Sequence, residues 1–484
     1  MQRTSANPST SFFGLIGFFA LLLTVTGPPP LEADVSVLVP GGTRSIIARS
    51  GDPLEGGGTL RSNMDKIFWF PDEEDGHGTL FVNHEKVYPD GGLSRLVYDN
   101  GVITDRRNWL TGTHFNCSGN ISGWGTMLSC EEYPPDGADS LGHVIEVYPS
   151  QPGQHVRRKA MGRFSHEAII EDPVTGDFYM TDDSYTGVFF KFSPTYPGYL
   201  GKGPLFALRE ETHDWVRVYN TVESEEAALA LGATSHPRPE GLVYNPIEDA
   251  IYIAVTGRLN YPSPYGYILR FDPRTQTMTR WLECDGVTLA NPDNVEIDSY
   301  GNLLVHEDQY AEHIALFGPN ELLLVRPDRT IEPILRGLDV VGEPSGLAFA
   351  ANEKHFWINW MGGVAGSELI EVHMPPGWNS SQIGVLFDAP PHHEVFALVA
   401  SPNPFSATAW IRGQTTAGER ARLDIFDARG THWRTLVDGV LTGGQLEVAW
   451  DGRDHRKRLA PRGYYFARLT AGGRTTAARI LLIR

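Results

Sequence analysis

The sequence predicts an all-β protein: an irregular β-propeller of about six blades, followed by a small immunoglobulin-like β-sandwich. Composition is the first observation behind this. The 484 residues include 52 glycines and 34 prolines, with 11% aromatics, a mixture suited to many turns joining short strands. The second is a loose repeat between Ser36 and Phe387, in which a short apolar run, a turn and a second run recur. The third is a tail of about ninety residues that alternates apolar and polar positions.

The repeat units are "GTLFVNHE", "GHVIEVYP", "GDFYMTDDSYTGVFFKFSP", "DAIYIAVTG…YGYILRFDP", "GNLLVHEDQ…ELLLVRPD" and "KHFWINW…SELIEVHMP". One strand of each pair ends near polar residues, and the next ends in Asp-Pro or Ser-Pro, as the inner strands of a propeller blade do. These runs are too short for helices and lack a 3.6-residue period. One helix-like stretch stands apart, "SEEAALALGA" at Ser224 to Ala233. Ahead of the repeats, Arg3, the apolar run Phe12 to Gly27 and "LEA" at Leu31 to Ala33 read as a secretion signal over residues 1–33. The expected division is a signal at 1–33, a propeller at 34–390 and a sandwich at 396–484. No later segment is apolar enough for a membrane span.

Formal net charge is −19, which argues against nucleic acid as a partner and leaves carboxylates for hard cations such as calcium. The acids recur at strand ends in "NHE" (Asn83, Glu85), "SCEE" (Cys130, Glu131, Glu132), "RFSHE" (His166, Glu167), "TDD" (Asp182, Asp183), "RPEG" (Arg238, Glu240), "NPDN" (Asp293), "HED" (Asp308) and "GEPSG" (Glu343). Strand ends converge on a propeller channel, and a buried carboxylate needs a cation. A metal-binding channel is therefore expected. No His-Glu-x-x-His, paired Cys-x-x-Cys, Gly-x-Ser-x-Gly or Walker loop occurs, which disfavours zinc protease, serine hydrolase and nucleotide-binding readings. Three cysteines allow one bridge at most, and a Cys117–Cys130 disulfide would exclude Cys130 as a ligand.

Five strings, "NCSGNISGWGTMLSCEE", "GRFSHEAIIEDPVTGDFYMTDD", "RPEGL", "NPDNVEIDSYGNLLVHED" and "GEPSGLAFAANEKHFWIN", stand in the order found in the PhoX family of bacterial alkaline phosphatases. The resemblance spans roughly Asn83 to Asn359. It implies a secreted phosphomonoesterase with several calcium ions and a ferric pair bridged by a cysteine. Carried over by motif, Cys130 bridges the irons, and Glu131, Glu167, Glu240, Asp293 and Glu343 are metal ligands. Arg238 holds the substrate phosphate. Asn83, Glu85, Glu132 and Asp308 are further candidates, and His166 orients or packs. The sequence departs from the family in having Arg3 alone where a twin-arginine signal is usual, and Ser-Gly where Thr-Pro is usual. The tail, "SPNPF…LDIFDARG…WDGRD…APRGYYFARL…ARILLI", resembles FlgD-type modules and the sorting domains of type IX secretion. That likeness implies a periplasmic or cell-surface location and contact with secretion machinery. Two other readings remain open from the residues alone: a calcium-dependent lactonase-like propeller, and a non-catalytic propeller stiffened by calcium.

Overall fold

The computed structural model describes residues 35–379 and 398–483, except 73–75, 134–139, 338–341, 351–352, 363–365, 402–404, 415–417, 428–430, 442–444 and 473. The expected signal and the seam between the two expected domains lie outside the described residues. Within them the regular structure is almost wholly antiparallel β-strand, with two short α-helices at Ser224–Ala230 and Ala311–Phe317 and one 3-10 turn at Lys159–Met161. The first falls inside the helix-like stretch that the sequence marks. Among the described residues no helix is long and apolar enough to cross a membrane.

Six antiparallel sheets follow one another along the chain. Their opening strands are Met64–Pro71, Asn116–Ile121, His166–Glu171, Pro239–Asn245, Pro292–Ile297 and Gly342–Phe349. Each opening strand packs against that of the next sheet, and the sixth returns to the first, so the arrangement is a propeller-like ring. The N-terminal strand Thr43–Arg49 is the outer strand of the sixth sheet, paired with Gly366–His373. Val35–Val37 likewise edges the fifth sheet against Ile331–Gly337. The ring is thus tied by residues distant in sequence.

Between neighbouring sheets lie separate apolar layers. Leu128, Cys130, Phe164, Ile169, Met180 and Phe190 fill one between the second and third sheets. Tyr179, Phe189, Ile253, Val255 and Phe271 fill the next. Opening strands approach so closely that some positions have no room for a side chain. A Cβ at Gly241 would meet Asp293 O at 2.7 Å and Asn294 Cα at 2.8 Å. Gly241→Ala is expected to cost about 1–3 kcal/mol by forcing these backbones apart, measured as a lower urea midpoint.

The C-terminal residues form two further antiparallel sheets. One holds Leu398–Ser401, Ala409–Gln414 and Gln445–Trp450; the other holds Arg420–Asp427, His432–Val440, Gly463–Ala471 and Arg474–Leu482. Phe405, Ile411, Leu423, Ile425, Trp450 and Leu469 are buried in their shared core. Asn120, Glu171 and Tyr244 from the ring, with Phe466 and Leu481 from the tail, line a cavity of about 710 Å³. This cavity lies beside the far ends of the opening strands.

Candidate metal centre

At the other end of those strands the ladders share one irregularity. Register slips between Met64 and Ile67, Asn116 and Gly119, His166 and Ile169, Pro239 and Leu242, Pro292 and Val295, and Pro344 and Leu347. A bulge of this kind bends the strand and re-aims one side chain. The second residue of each bulge is Asp65, Cys117, Glu167, Glu240, Asp293 and Ser345 in turn. Two residues earlier, Asn63, Phe115, Arg238 and Asn291 hold positive φ values of 52°, 37°, 59° and 49°. Phenylalanine and arginine are uncommon there, so the turn into the bulge is held by its surroundings. Arg238 shows how: its N–H donates to Ser184 O at 2.8 Å and its carbonyl accepts from Thr256 N at 2.9 Å.

The bulge residues converge. Asp65, Glu85 and Cys117 bring donor atoms within 4.8 Å of one another, as do Cys117, Glu132 and Glu167, and Glu167, Glu240 and Asp293. Cys117 and Glu167 are each common to two groups. Cys117 Sγ lies 2.9 Å from Asp65 Oδ2 and 3.1 Å from Glu167 Oε1. Burial, reinforced by neighbouring carboxylates, pushes Glu85, Glu132, Glu167, Asp293 and Glu343 well above the ordinary carboxylate range. Glu240 is raised as well, chiefly by burial, although Arg238 opposes the shift. The Cys117 thiol is pushed up by burial and then by Asp65 and Glu167.

One guanidinium stands among these acids. Arg238 Nε donates to Asp183 Oδ1 at 3.0 Å, its Nη2 pairs with Glu240, and its Nη1 lies 3.7 Å from Asp308 Oδ2. Tyr133 Oη donates to Asp183 Oδ2 at 2.8 Å. Lys66, the next residue after Asp65, is engaged elsewhere by Glu296 at 3.0 Å. A single guanidinium does not balance so many buried carboxyl groups, and the remainder must bind protons or cations. Two carboxylate oxygens are open to a ligand. Glu132 Oε1 and Glu167 Oε2 are buried with no hydrogen-bond partner. Acceptors left open inside a mixed thiol and carboxylate cluster fit metal ligation.

The structure thus brings together Glu167, Glu240, Asp293, Glu343, Arg238, Glu85, Glu132 and Asp308 from the sequence expectation. It places Cys130, Glu131 and Asn83 elsewhere. Cys130 is wholly buried in the apolar layer with Leu128, Val144, Phe164 and Ile169, bordering the cluster closely enough that Glu167 and Asp65 add to the burial that pushes its thiol up. Glu131 receives the N–H groups of His114 at 3.2 Å, Gly142 at 3.0 Å and His143 at 3.2 Å, and pairs with Arg157 at 3.1 Å. It caps a loop. Side chains alternate along a strand, so Glu132 faces the channel when Glu131 faces the loop. The same pattern sets Asp182, bonded to Ser165 N, against Asp183, and Glu307, bonded to Ala290 N, against Asp308. Asn83 Nδ2 donates to the Cys117 and Ser118 carbonyls, so it positions the cysteine strand. His166 stacks on Phe164 at 3.6 Å between ring centroids, and burial lowers its pKa to about 3. It packs.

Cys117, Cys130 and Cys284 are all free thiols, so the Cys117–Cys130 bridge does not form. Sequence reasoning missed Cys117 and Asp65 as members of the cluster, and it placed Asp183 in a strand-end cluster without a role of its own. The usable signal was positional: Asp65 and Cys117 occupy the place in their strands that Glu167 and Glu240 occupy in theirs.

Comparison with known proteins gives one family model, alkaline phosphatase PhoX, matching residues 99–322. That span contains Cys117, Glu132, Glu167, Arg238, Glu240 and Asp293, and leaves out Asp65, Glu85 and Glu343. No curated protein matches the chain. Among solved structures, the chain is similar to Trypanosoma rangeli sialidase, with a TM-score of 0.41, 8% identity, 91% of this chain covered and 89% of that one. It is also similar to PorZ, a surface component of the type-IX secretion system of Porphyromonas gingivalis, with a TM-score of 0.35 and 11% identity. There the alignment covers 88% of this chain and 52% of PorZ, so the chain spans about half of PorZ's length. A neuraminidase-like protein of subtype N11 from a bat influenza virus gives a TM-score of 0.38, 12% identity, and coverage of 72% and 96%.

Proposed function

We propose that the chain is a metal-dependent phosphomonoesterase of the PhoX type, carried on a six-bladed propeller with a C-terminal immunoglobulin-like sandwich. The observation that carries this reading is the meeting of Cys117, six raised carboxyl groups and Arg238 at one end of the ring, most of them inside the matched residues. Carboxylates suit calcium, and a thiolate suits iron. Asp65, Glu85, Cys117, Glu132, Glu167, Glu240 and Asp293 would hold these ions, Cys117 supplying the soft donor among them. When bound, the ions neutralise the acids, polarise phosphate oxygens and supply a water of lowered pKa.

The chain's own part is positioning. Arg238 presents a planar fork that matches two phosphoryl oxygens. Asp183, Glu240 and Asp308 fix its direction and keep it charged, raising its pKa against the burial that would lower it. Tyr133 in turn holds Asp183. Arg238→Ala is expected to lower kcat/KM for p-nitrophenyl phosphate by at least about 100-fold, and Arg238→Lys is expected to recover only part of this. Wild-type protein supplied with calcium and iron that hydrolyses no phosphomonoester, or an unaffected Arg238→Ala variant, would overturn the proposal. Export through residues 1–33 and surface attachment through the C-terminal sandwich belong to the same reading.

A further inference from the structure

A second group of donors lies far from this channel. His355 opens the strand His355–Gly362 and His373 closes the strand Gly366–His373, and the two residues stand directly opposite in the ladder. Glu371 precedes His373 by two positions and so shares its face of the sheet. Cross-strand neighbours and i, i+2 neighbours are close enough for three side chains to meet over one point. The donor atoms of His355, Glu371 and His373 all lie within 4.8 Å of one another.

The separations are informative. His373 Nε2 is 3.4 Å and His355 Nε2 is 3.7 Å from the same oxygen, Glu371 Oε1. Charge-assisted hydrogen bonds between such groups run to about 2.7–2.9 Å. Ligand atoms around a tetrahedral zinc ion, with bonds of about 2.0–2.2 Å, sit about 3.3–3.5 Å apart. Both imidazole nitrogens thus stand from the carboxylate at about the edge length of a metal tetrahedron. The two rings lie 5.1 Å apart and inclined by 32°.

Support beneath the group is built in. Tyr98 Oη donates to Glu371 Oε1, and the Trp357 ring meets His355 edge-on at 5.1 Å. Exposure is graded, with side-chain values of 2% for Glu371, 15% for His355 and 51% for His373. The group therefore opens to solvent on one side. Two imidazoles with one carboxylate favour a borderline divalent transition ion over calcium. Glu343 is paired with Met361, six residues along the strand from His355, which at about 3.3 Å per residue puts the group some 20 Å from the channel end of the sheet. It also lies outside the residues matched by the family model.

We propose that His355, Glu371 and His373 form a separate surface site for a zinc-class divalent ion, with its fourth position open to water or an incoming group. The test uses the full chain with its channel ions in place, dialysed against micromolar zinc, with zinc, calcium and iron counted in the same sample. Wild type is expected to hold one zinc more than His373→Ala, a substitution at a half-exposed position. Tyr98→Phe, which removes the hydroxyl behind Glu371, is expected to weaken zinc binding about 10-fold. Cobalt in place of zinc is expected to give tetrahedral visible bands in wild type that His373→Ala lacks. Phosphatase rates are expected to be equal in wild type and His373→Ala. Equal zinc content and affinity in wild type and His373→Ala, or no zinc taken up by wild type, would overturn the site.

Discussion

Stripped of its ions by a chelator, the protein is expected to lose thermal stability steeply as pH rises above the ordinary carboxylate range, while the metal-loaded protein changes little. The sign follows from the channel carboxyls. Glu85, Glu132, Glu167, Glu240, Asp293 and Glu343 are all raised in the folded state, mainly by burial. Their contribution is complete below the unfolded value, about 4.3 for glutamate and 3.9 for aspartate, and is lost as pH climbs through the folded values. Each ion that binds only the folded state restores about 2.7 kcal/mol at a hundredfold excess over its dissociation constant. Two such ions amount to a melting shift of roughly 6 °C for a folded unit of this size, and each further ion adds about 3 °C. Scanning calorimetry with and without chelator across pH reads this directly. A chelated protein whose melting temperature is flat in pH, or equal to that of the loaded protein, would remove the case for a metal centre.

Much of this site is legible in the sequence, and the reason is local. Glu167, Glu240, Asp293 and Glu343 each sit at the start of an apolar run, where strand polarity and the repeat both point to a channel. The acids at the ends of the second strands are legible as clusters but not as individuals. "CEE" and "TDD" each offer adjacent acids of opposite facing, and a one-residue slip exchanges them. Only the ladder shows that Glu132 and Asp183 face the channel while Glu131 and Asp182 cap loops. The bulges are invisible in the sequence because they carry no shared composition: Asn63, Phe115, Arg238 and Asn291 occupy equivalent left-handed positions with unlike side chains. Closure of the sixth sheet by Thr43–Arg49 is hidden for another reason, since that strand pairs with residues more than three hundred positions away.

The two cysteines allow the sharpest separation between a metal thiolate and a core thiol. Cys117→Ser is expected to abolish bound iron and cut phosphomonoesterase turnover by at least about 100-fold, because a hydroxyl replaces the soft donor that two groups share. Calcium content is expected to persist, since carboxylate groups remain that do not use the cysteine, Glu167, Glu240 and Asp293 among them. Cys130→Ala acts on a different link. Cys130 belongs to the apolar cluster that includes Leu128, Val144, Phe164 and Ile169, so the expected cost is about 1–2 kcal/mol of stability from the lost packing, with iron content and kcat near wild type. Metal counting and turnover on both variants therefore give opposite signatures. Iron loss in Cys130→Ala with full retention in Cys117→Ser would reverse the assignment and return the bridging role to the cysteine beside Glu131. Activity that survives both substitutions would instead favour a calcium-only propeller, because the carboxylate groups alone would then suffice for the chemistry.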